Sequence, residues 1–134
     1  MKIARPFAVI LLATPFMAAW SQSMNAPDGP CRDAVATSDL SSCMAKALKS
    51  AEAKLNTTYL RIETALTEEE MKSLAKAERL WVQYRDANCN AEYSLYDGGT
   101  GGPPTRLACI EAETKTREAS LRRSFWWRVE KSGG

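Results

Sequence analysis

Three observations predict an all-α chain, a three-helix antiparallel up-down-up bundle stapled by two disulfides at one end. Apolar residues recur at steps of three and four through three separate stretches, the spacing of one helical face. The first two stretches are joined by only a few residues, which makes their helices antiparallel neighbours. The four cysteines fall where three such helices share one pole.

In the first stretch, Met44, Leu48, Ala51, Leu55, Tyr59, Ile62 and Leu66 mark the inner face. Lys46, Lys49, Lys54 and Arg61 fall elsewhere, and neither Pro nor Gly interrupts. Ser38 or Asp39 is a candidate N-cap. Thr67-Glu68-Glu69-Glu70 then reads as a capping box, with Glu70 at N3 and three acids at the positive end of the next helix dipole.

The second helix runs to about Tyr93. Leu74, Ala77, Trp81, Tyr84 and Asn88 form one row along it; Glu78, Trp81, Val82, Arg85 and Cys89 form a second row beside it. A simple amphipathic helix would send Glu78 and Arg85 to water, not to the edge of an apolar stripe. Asp97–Pro104 holds four glycines and two prolines in eight residues, a break that predicts a mobile connection. It lacks the Lys-Ser or Lys-Thr of a phosphate loop. Asp97, Gly98, Gly99 and Thr100 make it the candidate binding loop. Thr105 is the expected N-cap of the third helix, whose inner face is Leu107, Ile110, Thr114, Arg117, Leu121 and Phe125. Trp126 and Trp127 are adjacent and cannot share a face, so one is expected to cover the core and the other to be partly exposed.

Length suggests one domain after a leader is set aside. Residues 1–23 read as a cleaved secretory signal: a basic head at Met1–Arg5, an apolar run at Phe7–Trp20, and small residues around Ser21 and Ser23. The run is short for a membrane span and Pro15 interrupts it, so no stable anchoring is expected after cleavage. Residues 24–39 then form a mobile leader with the first Cys, 40–129 the helical domain, and 130–134 a frayed end. The expected location is the periplasm or beyond.

The whole chain has 18 Lys and Arg against 16 Asp and Glu. Loss of Lys2 and Arg5 with the signal leaves 16 of each, and a neutral chain is a poor partner for nucleic acid or anionic lipid. An even cysteine count in a small exported chain reads as disulfides. Zinc is disfavoured, because spacings of 11, 45 and 19 intervening residues contain no C-x-x-C and the chain has no His. No metal or cofactor is expected. Short separations favour Cys31–Cys43 and Cys89–Cys109, each contributing about 3 kcal/mol; Cys43–Cys89 with Cys31–Cys109 is the alternative.

Heights along the helices, at ~1.5 Å per residue, put Glu52 ~13 Å above Cys43, Glu78 ~16 Å above Cys89 and Arg117 ~12 Å above Cys109. An inter-helix polar cluster is therefore expected from Glu52, Asn56, Tyr59, Glu78, Trp81, Arg85, Thr114 and Arg117, with Arg85 stacked on Trp81. An Arg on an apolar face needs an anionic partner, and Glu52 and Glu78 are the candidates. Such pairing lowers the pKa that an acid catalyst would need raised. With no His for a nucleophile system either, the chain is not expected to be an enzyme. Glycan cleavage by Glu52 and Glu78 is a remote alternative.

Cys31 and Cys43, then Glu52, Leu55-Asn56 and Tyr59, resemble the opening of the lysozyme inhibitor LprI N-terminal-type domain. Ala77-Glu78-Arg79-Leu80-Trp81 and Tyr84-Arg85-Asp86-Ala87-Asn88-Cys89 are similar to its central signature. Gly98-Gly99-Thr100, Cys109 and Thr114-x-x-Arg117-x-x-x-Leu121 are similar to its final third. The family usually has Asp at the position of Glu52 and Gln at that of Glu78, and its name-giving inhibitor is a lipoprotein, whereas this chain lacks a lipidation Cys. The resemblance implies an exported bacterial helical domain and, for one branch, a protein partner that is lysozyme, bound and inhibited. The alternative is a periplasmic interaction or envelope-stress module with another protein partner. The oligomeric state is left open at this level.

Overall fold

The computed structural model describes Met24 and residues 27–133; the expected signal segment lies outside the described residues. Three helices follow in order, α1 at Thr37–Glu63, α2 at Glu68–Ser94 and α3 at Gly102–Lys131, with no strand among the described residues. The up-down-up bundle is as expected. α3 is its spine: α1 lies along it over most of its length, α2 packs on it from another side, and α1 and α2 approach each other little directly.

Two boundaries differ from expectation. α1 starts at Thr37 behind Ala36, which supplies no side-chain cap, so neither Ser38 nor Asp39 is the N-cap. α3 starts at Gly102, with Gly101 as N-cap and prolines in its first turn, and Thr105 is already inside the helix. Proline is tolerated there because the first-turn N–H groups have no intrahelical partner to lose. α3 also continues through Lys131, past the expected frayed boundary.

The capping box at the start of α2 is present on both sides. The Glu70 N–H donates to the Thr67 hydroxyl oxygen (3.4 Å), and the Thr67 N–H donates to the Glu70 carboxylate (2.8 Å). The backbone bond from Thr67, then its hydroxyl and Arg128, hold the Glu70 carboxyl below its ordinary 4.5. A carboxyl with a lower pKa folded than unfolded stabilises above its unfolded value, and that contribution is lost as pH falls through the folded one. Thr67→Ala removes the side-chain cap of α2 and is expected to cost about 1 kcal/mol, the ordinary loss for an N-cap. Its melting temperature should also fall less steeply than that of the parent as pH drops from about neutrality through the carboxylate range, as followed by circular dichroism.

The core has two apolar ends and a polar waist. At one pole Cys31, Met44 and Ala108 pack together, and Cys89, Cys109 and Ile110 pack under Leu48. At the other pole Ile62, Leu74, Leu121 and Val129 pack with Leu55, Tyr59, Phe125 and Trp126. Burying each large aliphatic side chain contributes roughly 1.5–3 kcal/mol. Between the poles sit buried Thr58 and Thr114. Their hydroxyls donate to the Glu118 carboxylate (2.7 Å) and the Ile110 carbonyl (2.7 Å), so neither is left unsatisfied.

Both disulfides are at the first pole, as Cys31–Cys43 and Cys89–Cys109, the pairing favoured by separation. The first ties the leader to the start of α1, and buried Cys31 places that part of the leader in the core rather than free in solvent. The second ties α2 to α3 immediately beneath the glycine-rich connection.

Candidate functional site

The inward face of α2 is the row Leu74, Glu78, Trp81, Arg85 and Cys89, whereas Ala77 and Tyr84 of the other row are exposed. At its centre the Arg117 guanidinium of α3 donates through Nε to Glu78 Oε1 (2.8 Å) and through its terminal nitrogen to the same oxygen. The side chains of Arg117 and Glu78 are only 18% and 17% exposed. Arg85 donates through two nitrogens to Asp86 Oδ1 (2.9 and 2.8 Å). The Trp81 ring lies between the two cations, 5.1 Å from the Arg85 guanidinium carbon and 5.9 Å from that of Arg117. Each guanidinium thus has one carboxylate and one aromatic face, which offsets its desolvation.

Tyr59 of α1 packs on the Ile62 pole, within electrostatic reach of Glu78. Burial, then the negative charges of Glu63 and Glu78, push its phenol above the ordinary 10.0 against the pull of Arg79. Thr114 is buried one turn from Arg117 and bonded within α3. Asn88 donates to the Cys109 sulfur at 3.7 Å.

Glu52 and Asn56 do not join the layer. Both are exposed on α1, and Glu52 forms no ion pair among the described residues. The reason is an axial offset. Leu48, not Cys43, packs on the Cys89–Cys109 bridge, and Thr58 meets Glu118. On that register Glu52 stands about 7 Å below the level of Arg117 at ~1.5 Å per residue. It also points away from the Ala51, Thr58 and Ile62 row that faces α3. Glu52 and Glu78 are consequently not the facing acid pair that glycosidic cleavage requires.

Sequence reasoning missed a second polar pile on the α1–α3 side. Thr58, Glu118 and Arg122 are linked, with Arg122 Nε 2.5 Å from Glu118 Oε1. Trp126 lies between Arg122 and Arg61, at 4.1 and 4.9 Å from its ring centre. Burial pushes the Glu118 carboxyl up, but the bonds from Thr58 and Arg122 outweigh it and hold it low. The i, i+4 spacing of Glu118, Arg122 and Trp126 was the available signal. Trp127, by contrast, is 56% exposed.

The connection between α2 and α3 is a hydrogen-bonded turn rather than a loose tether. The Tyr96 N–H donates to the Tyr93 carbonyl (3.1 Å), that of Gly99 to Tyr96 (2.7 Å) and that of Gly102 to Gly99 (3.0 Å). Asp97 has φ +45° and Gly98 φ +78°, the left-handed region that side chains rarely occupy. The Tyr93 ring lies directly on Gly102, where an added Cβ would come within 2.8 Å of it. Leu95, Tyr96, Asp97, Gly98, Gly99 and Thr100 are all exposed. A cross-linked base, two tyrosine rings against glycine backbone and an outward Leu-Tyr-Asp tip make this a presented loop.

Among the described residues no group of three or more His, Cys, Asp or Glu converges to hold a metal ion, and no helix is long and apolar enough to cross a membrane. The family described as "Lysozyme inhibitor LprI" matches residues 31–121, which takes in both disulfides, the Glu78–Arg117 pair and the presented loop. An uncharacterized protein of Rhizobium meliloti (strain 1021) is 30% identical over 135 residues, covering 91% of this chain and 94% of that protein. No solved structure matches the chain. With most of its length matched by the family, the chain belongs to the LprI family.

Proposed function

We propose that this chain is a small exported binding protein that inhibits a lysozyme by protein–protein contact, and that the Leu95–Thr100 loop is its contact element. The observation that carries this reading is the left-handed Asp97 at the tip of a loop braced by Cys89–Cys109. Backbone strain of this kind persists where the surroundings fix it, and it gathers at binding sites. A loop already held in one conformation loses little entropy on binding, so its apolar and acidic groups contribute nearly their full contact energy. Exposed Leu95 and Tyr96 supply the apolar anchors. Asp97 supplies a single negative charge suited to a basic enzyme.

The Glu78–Arg117 layer does a different task in this reading. Its charges are matched within the bundle, so it fixes how α2 sits on α3 and therefore where the loop points. Export fits the signal-like N-terminus and two disulfides, which persist in oxidising compartments.

The test is cell-wall lysis by animal and bacterial lysozymes with the purified mature chain added. Micromolar protein is expected to slow lysis. Tyr96→Ala and Asp97→Ala are each expected to weaken inhibition at least tenfold, a loss of ~1.4 kcal/mol or more in binding. Undiminished lysis across the panel would remove the lysozyme reading, and full inhibition by both variants would remove the loop.

A further inference from the structure

On the side of α3 that faces α1, Glu111 is only 9% exposed. Its one ionic partner among the described residues is Lys115 of the same helix, at 3.0 Å, and that lysine's side chain is 61% exposed. An i, i+4 pair with a solvated lysine offsets little of what it costs to take a carboxylate out of water. The acid borders a space of about 390 Å³ between α1 and α3, a size within the range of small-ligand sites.

Four charges line that space, two of each sign. The acids are Asp28 and Glu111, and the cations are Lys54 and Lys115. Lys54 forms no ion pair among the described residues. Glu118, further along the groove, feels its charge, but that carboxylate is already bonded by Thr58 and Arg122. The charges are also ordered along the groove. Thr58 meets Glu118, so Glu111, seven residues earlier on α3, is level with Ala51, seven earlier on the parallel α1. Lys54 therefore stands three residues, ~4.5 Å at ~1.5 Å per residue, beyond the level of Glu111. Ala47 and Ala51 give the space a small apolar floor, and Ser50 adds a hydroxyl. Pro30, next to the Cys31–Cys43 bridge, walls the end nearest the disulfide pole.

We propose that this space is a binding site for a zwitterionic α-amino acid with an apolar side chain. The ammonium meets Glu111 and Asp28, and supplies the buried carboxylate with donors beyond the single lysine. The carboxylate meets Lys54, the cation with no acid of its own, and the Ser50 hydroxyl. One carbon separates the two groups of an α-amino acid, which suits the short offset between the acidic and basic levels. A simple anion would face Glu111 and a simple cation would face Lys54, so only a ligand carrying both signs is matched at both ends. The side chain rests on Ala47 and Ala51. None of these residues belongs to Leu95–Thr100, so this site and the lysozyme reading stand or fall separately.

The test is an amide chemical-shift titration of the disulfide-intact chain with L-leucine and D-leucine, taken to tens of millimolar. Saturable shifts concentrated at Ala47–Lys54 and Glu111–Lys115 are expected for at least one enantiomer. N-acetyl-leucine, which lacks the ammonium, and leucinamide, which lacks the carboxylate, should each bind about tenfold more weakly or worse. Lys54→Met and Glu111→Gln should each weaken leucine binding by about tenfold or more. Lys54 is exposed, so its variant should keep an unchanged helical spectrum. No saturable shift with either enantiomer, equal binding of N-acetyl-leucine or leucinamide, or undiminished binding by Lys54→Met would each overturn the proposal.

Discussion

Replacing Cys89 and Cys109 together by alanine is expected to lower stability by about 3–5 kcal/mol. For a domain of this size that lowers the melting temperature by on the order of 15–30 °C. The bridge closes a separation of 20 residues, and both cysteines are wholly buried among Ile110 and Leu48. Its loss thus combines freed chain entropy with a gap in the core of that pole. It also releases the base of the presented loop, so the proposed inhibition should weaken even at temperatures where the variant remains helical. Removing Cys31–Cys43 should cost less, about 2–3 kcal/mol, because its loop holds only the leader and the first turns of α1. Thermal unfolding by circular dichroism on the two double variants checks the order. Equal losses would mean that the α2–α3 tie has no special place in the bundle.

Arg117→Met is expected to cost about 3 kcal/mol, because it leaves the Glu78 carboxylate inside the bundle without its cation. Glu78→Gln should cost only about 1 kcal/mol, since the amide oxygen still accepts from Arg117. Glu78→Leu combined with Arg117→Met should recover much of the loss, as apolar groups of similar size replace a pair that is costly to desolvate. Denaturant unfolding of the four proteins gives a coupling energy of about 1–3 kcal/mol for the pair. A coupling near zero would show that the two side chains act independently and do not set the seat of α2.

Much of this architecture is legible in the residues themselves, and the reasons are local. Thr67 and Glu70 announce the start of α2 because a capping box is chemistry within four residues. Trp81, Arg85 and Glu78 identify themselves because charges beside an indole on one helix face require partners. What fails is what depends on how helices slide and turn against one another. Glu52 was expected level with Arg117 because each helix was measured from its own cysteine, yet α1 is shifted so that Leu48 covers the Cys89–Cys109 bridge. Ala77 and Tyr84 read as core because their spacing is apolar and regular, and periodicity does not distinguish a face turned to α3 from one turned outward. Pro103 and Pro104 read as a break because the same residues that end a helix also begin one. The loop reads as loose because glycine content reports neither hydrogen bonds nor the rings of Tyr93 and Tyr96 that lie on it.

The most direct measurement is amide chemical-shift mapping of the isotopically labelled chain while lysozyme is added. Shifts concentrated at Leu95–Gly101, with the amides around Glu78 and Arg117 unmoved, are the predicted result. Shifts centred on Glu68–Glu70, or on the Trp126 pole with the loop silent, would contradict the assignment of the braced loop as the binding element.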